Sequence, residues 1–195
     1  MTAQLAQRPL IAAFDVATSV GVCDGLAGGT PRLWTWDLRD AGDGRPKRLA
    51  YLRAFLDSYF KTEPVGRVYY EKPMPIAAQV QAKPGSGFGA SEDQLAFLRG
   101  SLGVLEACAA MAGIHIIEGV SVQDARKHFC GQRRFERDAK GKSTAKDHVL
   151  RMCALLKIPA ANDHEADAAA IWSLACAMNN PRTAHLHSPL FQAGR

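Results

Sequence analysis

The chain lacks any apolar run long enough to cross a membrane. Its most apolar stretch, 166–178, carries Asp167 near its start, where a span needs 18 or more apolar residues in a row. It also lacks the pattern of a secretory leader, because Asp15 cuts off the short apolar run 9–14 behind Arg8, so secretion is not expected. No CxxC pair occurs. The five cysteines, Cys23, Cys108, Cys130, Cys153 and Cys176, are odd in number and scattered. That spacing gives neither a zinc ribbon nor a thioredoxin-like site, and suits the reduced thiols of a cytoplasmic protein. His128 and Cys130 could form half a metal site, but no second pair lies at ligand spacing. No internal repeat is present.

What remains is an ordinary globular composition, 47% hydrophobic and 22% charged over 195 residues. That length predicts one domain, placed here at residues 1–180. The stretch beyond it, 181–195, has two prolines and no periodicity, and is expected to be a flexible tail.

The formal net charge of +5 is unevenly spread. Residues 126–151 hold nine basic side chains (Arg126, Lys127, Arg133, Arg134, Arg137, Lys140, Lys142, Lys146 and Arg151) against three acidic ones, a surplus of six. The rest of the chain is close to neutral. A solvated charged loop accounts for this, and so does a phosphate-contacting surface, since clustered Lys and Arg gain affinity by releasing condensed counterions. Phe129 and Phe135 interrupt the run, either to stack on bases or to anchor the loop.

The apolar pattern predicts strands over 10–14, 20–25 and 33–38, close enough together to form an antiparallel meander. A helix is expected over 47–60, then a strand over 65–70 that delivers Glu71 at its end. A Pro- and Gly-rich loop, 72–91, leads to a long helix over 92–111. A fifth strand over 114–117 and helices over 122–129, 144–156 and 164–178 complete an α/β layered fold.

Four side chains in this scheme should meet. Asp15 ends the first strand and Glu71 the fourth. If those strands are parallel neighbours, both carboxylates leave the same carboxyl edge, where open α/β sheets place their sites. Asn162 and Glu165 have capping-box spacing, so a helix should start there, with His164 and Asp167 on one face of its first turn. The Ala-rich continuation must pack on the sheet and would carry that pair towards Asp15 and Glu71. Taken singly, Asp15 reads equally as a turn or cap residue and Glu71 as a surface residue, while Asp163 and Glu165 read as capping residues rather than ligands. Together, clustered carboxylates repel one another unless a cation neutralises them. Oxygen donors suit Mg2+ or Mn2+, and an imidazole leans towards Mn2+. Two such ions roughly 3.5–4 Å apart can activate water and stabilise the leaving oxygen of a phosphodiester. An acidic cluster beside a basic loop therefore reads as a metal-dependent nuclease.

The order of these elements resembles the RuvC branch of the ribonuclease H-like nucleases. Ile11-Ala12-Ala13-Phe14-Asp15 resembles the first metal-binding strand, and Val68-Tyr69-Tyr70-Glu71 the second carboxylate strand. His164-Glu165-Ala166-Asp167 followed by three alanines resembles the closing motif, in which Asp or His occupies the position of His164. Leu98-Arg99-Gly100 and Gly141-Lys142-Ser143-Thr144-Ala145-Lys146 also look like segments of that family. The likeness runs over roughly residues 9–178 and implies a five-stranded mixed sheet, three antiparallel strands then two parallel, flanked by helices. It further implies a Holliday-junction resolvase: a homodimer that nicks opposed strands of four-way DNA junctions with two Mg2+ per site, Mn2+ substituting. On that reading Asp15, Glu71, His164 and Asp167 hold the ions, and Lys142 and Lys146 touch the scissile-region phosphates. Arg133, Arg134, Arg137, Lys140 and Lys72 would add DNA contacts, and Phe88 in the 72–91 loop would either stack on an unpaired base or anchor the loop. A cytoplasmic, nucleoid-associated location follows; a helicase partner is left open.

Two features depart from the family pattern. Asp15-Val16-Ala17 lacks the Pro-Gly that often follows the first aspartate, and the loop after Glu71 carries Pro73, Pro75 and Pro84. A divergent, phage-derived resolvase acting on branched DNA generally would fit them. The rival readings are a non-catalytic branched-DNA-binding protein and an actin-like or sugar-kinase-like ATPase. The first strand and glycine turn of the ATPase class also resemble 15–25, but those proteins need a second domain and further glycine-rich phosphate loops.

Overall fold

The computed structural model describes residues 9–73, 92–138, 141 and 143–180. Five strands, β1 (Leu10–Asp15), β2 (Ser19–Gly25), β3 (Arg32–Asp37), β4 (Val65–Glu71) and β5 (Ile116–Val120), form one sheet in the order β3-β2-β1-β4-β5. The first three pair antiparallel, as their short connections require. β4 pairs parallel with β1, reached through the crossover helix α1 (Arg45–Thr62), and β5 pairs parallel with β4 after α2 (Glu92–Met111). This is the expected mixed sheet of three antiparallel strands followed by two parallel ones.

Side-chain alternation divides the core in two. Ala12, Phe14, Val20, Val22 and Val68 pack against Leu52 and Leu56 of α1 and Leu105 and Ala109 of α2. On the opposite face Ile11, Ala13, Cys23 and Tyr69 lie under α3 (Val122–Cys130), α4 (Ala145–Leu155) and α5 (Asp163–Asn179). α5 is buried almost all round, from Ala166 through Ile171 to Cys176, because it runs between the sheet and α3 and α4. Its alanines permit that close approach. All five cysteines are unpaired thiols, and no helix among the described residues is long and apolar enough to cross a membrane.

Most boundaries differ from the sequence expectation by one or two residues, and two of the differences have a clear physical cause. The fifth strand runs from Ile116 to Val120, not over 114–117. Gly113, with φ of 78°, ends α2, and the Ile114 amide bonds back to the Ala109 carbonyl at 3.0 Å. Ile114 is thus the buried apolar residue of a helix C-cap rather than the first residue of a strand. β3 stops at Asp37, whose side chain accepts a bond from the Arg39 amide and caps a 3-10 turn at Leu38–Ala41. Leu38 is fully buried in that turn instead of extending the strand.

Candidate active site

The same alternation selects what faces α5 at the carboxyl edge. Asp15 follows Ile11 and Ala13 on β1, and Glu71 follows Tyr69 on β4. In register, Phe14 pairs with Tyr70 across the parallel β1–β4 ladder, which sets Asp15 and Glu71 at the same end of adjacent strands. Asp15 also stands opposite Gly21 of β2. The predicted helix start is present. Asn162 caps α5, its Oδ1 accepting from the Glu165 amide at 3.0 Å, while Glu165 Oε2 accepts from the Ala161 amide at 2.7 Å.

This start brings His164 onto the sheet edge, with Nδ1 2.8 Å from Asp15 Oδ2. The approach is tight: a Cβ at Gly21 would lie 2.1 Å from the His164 carbonyl oxygen, so glycine is required beneath the helix start. Asp167, one turn further on, is 6% exposed. Its two carboxylate oxygens each accept from Arg126 Nη2 at 2.9 Å, and Arg126 Nε adds a contact of 3.2 Å. Arg126 belongs to α3. It is the site residue that sequence reasoning missed, since it was counted in the basic segment but not assigned to the carboxylates.

The electrostatics tie the four groups together. The Glu71 carboxyl is pushed up to about 7, first by burial, then by the negative charges of Asp15 and Asp167, with Arg126 pulling the other way. Asp167 is also raised, by burial first, although Arg126 opposes the rise and Asp15 adds to it. The hydrogen bond to Asp15 raises His164. At the rim, partial burial pulls the Lys146 ammonium down, but its ion pair with Asp163 and the fields of Asp167 and Asp15 carry it above its ordinary value. Of the four expected site residues the structure joins His164 to Asp15 directly, sets Glu71 at the end of the adjacent strand within the field of Asp15 and Asp167, and holds Asp167 on Arg126, with Lys146 at the rim.

Among the described residues no three His, Cys, Asp or Glu groups stand close enough together to hold an ion as they are. The donor set nevertheless suits a hard divalent cation: three carboxylates and one imidazole, with a Glu71 carboxyl that burial, then the charges of Asp15 and Asp167, push up to about 7. Arg126 and His164 supply the neutralising contacts that a metal would otherwise make.

The basic segment is less uniform than its sequence suggests. Arg134 is exposed, and Lys72 is exposed directly after Glu71, its amide extending the ladder to the Val120 carbonyl. Arg133 is paired with Asp124, and Arg137 donates to the Gly141 carbonyl at 2.6 Å within its own loop. Phe129 is fully buried in the core, and the half-buried Phe135 ring meets His148 edge-on at 5.3 Å. Phe129 is thus an anchor, while Phe135 is packed on one side by His148. Lys140, Lys142 and Phe88 lie outside the described residues.

No protein-family model and no curated protein sequence matches the chain. Solved structures do match it in fold. The structure of Thermus thermophilus RuvC superposes with a TM-score of 0.60 at 16% identity, over 88% of this chain and 96% of that one. T. thermophilus RuvC in complex with a Holliday junction substrate gives 0.55 at 15%, over 88% and 95%. The yeast mitochondrial Holliday junction resolvase Ydc2 gives 0.58 at 11%, over 92% of this chain and 83% of its own. The chain thus has the RuvC-type, ribonuclease H-like fold.

Proposed function

We propose that this protein is a metal-dependent endonuclease that resolves four-way DNA junctions by paired phosphodiester nicking, acting as a homodimer in the cytoplasm, at the nucleoid. The observation that carries the reading is that Asp15 and Glu71 end adjacent parallel strands while α5 brings His164, 149 residues from Asp15 in sequence, within hydrogen-bond distance of it, with Asp167 one turn further along the helix. The structural neighbours share this fold, among them RuvC bound to a Holliday junction and the yeast mitochondrial Holliday junction resolvase.

On this reading those four residues hold two Mg2+ ions, with Mn2+ able to substitute. Bound there, such ions supply an activated water and charge stabilisation at the leaving oxygen of a phosphodiester. The protein's own part is to aim and to neutralise. Asp15 fixes the His164 ring through Nδ1, leaving its other nitrogen to point elsewhere. Arg126 holds Asp167 through both oxygens, but Oδ2 accepts only one of these bonds and keeps a lone pair with which that carboxylate would serve as a ligand. Lys146, with Arg134 and Lys72 further out and Lys142 in the same segment, provides positive charge for the DNA backbone.

One observation favours a second reading, a protein that binds branched DNA without cutting it: both oxygens of Asp167 already accept from Arg126. A gel assay with a mobile four-way junction, a fork and a plain duplex, in Mg2+ and in Ca2+, separates the two. The nuclease reading predicts paired nicks in the junction with Mg2+ and binding with little cutting in Ca2+, whose looser coordination positions water poorly. Binding with no cleavage in Mg2+ or Mn2+ would establish the second reading; comparable cutting of all three DNAs would make the enzyme a general branched-DNA or duplex nuclease.

A further inference from the structure

We propose that Thr35, acting through Glu165, is a positioning residue that sets where His164 and Asp167 stand over the sheet edge; this rests on the metal-dependent reading above and deepens it. Asp15 of β1, Gly21 of β2 and Thr35 of β3 form one register row across the sheet. The first turn of α5 lies along that row. His164 sits over Asp15 and Gly21, and Glu165 sits over Thr35.

Thr35 Oγ1 donates to Glu165 Oε1 at 2.9 Å and accepts from Asn162 Nδ2 at 2.7 Å, so the single hydroxyl is used in both senses. Glu165 is 6% exposed, and its second oxygen is held by the Ala161 amide. Its carboxylate is thereby committed to β3 and the helix cap, not to the acidic cluster. At the far end of α5 Asn179 Nδ2 donates to the Tyr69 hydroxyl at 2.8 Å, and at the near end His164 bonds Asp15, but most of the contact with the sheet is made by alanines, Ile171 and Trp172, and such packing is non-directional. It holds the helix down but resists sliding or rotation weakly. At the end that carries His164 and Asp167, the Thr35–Glu165–Asn162 network restrains α5 against the sheet without passing through the candidate ligands, unlike the His164–Asp15 bond. Supporting bonds of this kind, behind the ligands themselves, govern metal affinity by about 10- to 100-fold.

The test is calorimetric titration of the full chain with manganese chloride, without DNA, on the wild type, Thr35→Val, Thr35→Ser and Tyr59→Phe, each also melted without metal. Thr35→Val leaves both capping bonds between Asn162, Glu165 and Ala161 in place and cuts only the tether to β3. Tyr59→Phe removes a buried 2.6 Å bond to Asp24 at a different place in the fold and serves as the purely structural comparison. The expected result is Mn2+ affinity lowered about 10- to 100-fold in Thr35→Val, restored in Thr35→Ser, and unchanged in Tyr59→Phe even where its melting point falls. Wild-type affinity in Thr35→Val, or no recovery in Thr35→Ser, overturns the positioning role while the nuclease reading stands. A wild type that binds no Mn2+ overturns both.

Discussion

Arg126 faces Asp167 in a pair that is largely shielded from water, the arginine side chain 20% and the aspartate side chain 8% exposed. Removing one partner of such a pair leaves the other charge without compensation. Arg126→Gln should therefore lower the stability of the metal-free protein by about 3 kcal/mol at neutral pH, read from denaturant midpoints. Mn2+ should recover most of that loss, since the ion replaces the lost cation. An unchanged midpoint would mean that Asp167 does not depend on Arg126. Sequence could not reveal this pair: a basic residue beside a basic loop has the same spacing whether it faces a phosphate or a carboxylate. His164 and Asp167 were legible because their separation fixes a shared helix face, and Asn162 with Glu165 marked where that face begins.

Among the elements, α5 and β2 show how packing sets chemistry. Gly21→Ala places a methyl group against backbone, the His164 carbonyl, which cannot swing aside as a side chain would. The expected cost is about 3 kcal/mol of stability, together with weakened metal binding, checked by melting and by Mn2+ titration; a tolerated alanine with unchanged affinity would show that the helix start can move without consequence. The requirement for glycine there was not visible beforehand, because a strand glycine alone does not announce what approaches it. The first turn of α4 makes a different prediction. Lys146→Ala should reduce the salt dependence of junction binding by about one unit of slope if Lys146 meets a phosphate, measured as log affinity against log salt. An identical slope would leave Lys146 paired with Asp163 in the complex. The strands were read nearly correctly from alternation, and the exceptions were instructive: Ile114 and Leu38 are apolar residues used to close a helix end and a 3-10 turn, roles that share their hydrophobicity with strand positions.

At the scale of the whole molecule, the acidic edge should make stability depend on pH in a defined direction. Glu71 titrates at about 7 in the fold, above its ordinary carboxyl value of 4.5, so between those values the native state binds more protons than the unfolded chain. Stability then falls as pH rises through that window. Asp167 shifts the same way, and the raised His164 contributes stability that is present below its ordinary value and lost as pH climbs through the folded one. The metal-free protein should be about 1–3 kcal/mol more stable near pH 5.5 than near pH 8, and Glu71→Gln should flatten the slope. A metal-free stability that rises over this interval would contradict the assigned cluster. Divalent ions should reverse the trend, stabilising more at pH 8, because ligation displaces protons.

The fold follows from patterns that the sequence displays openly, namely alternating strands, one capping pair and short links between the first three strands. The site required the additional step of parity, by which Asp15 and Glu71 fall on the face that α5 covers. The measurement that tests the central claim most directly is cleavage of a four-way junction in Mg2+ by the wild type and by Asp167→Asn, with binding followed in the same reactions. The expected result is paired nicking by the wild type, and junction binding with cleavage lost in the variant. Equal cleavage by both would remove Asp167 from the reacting site and contradict the account.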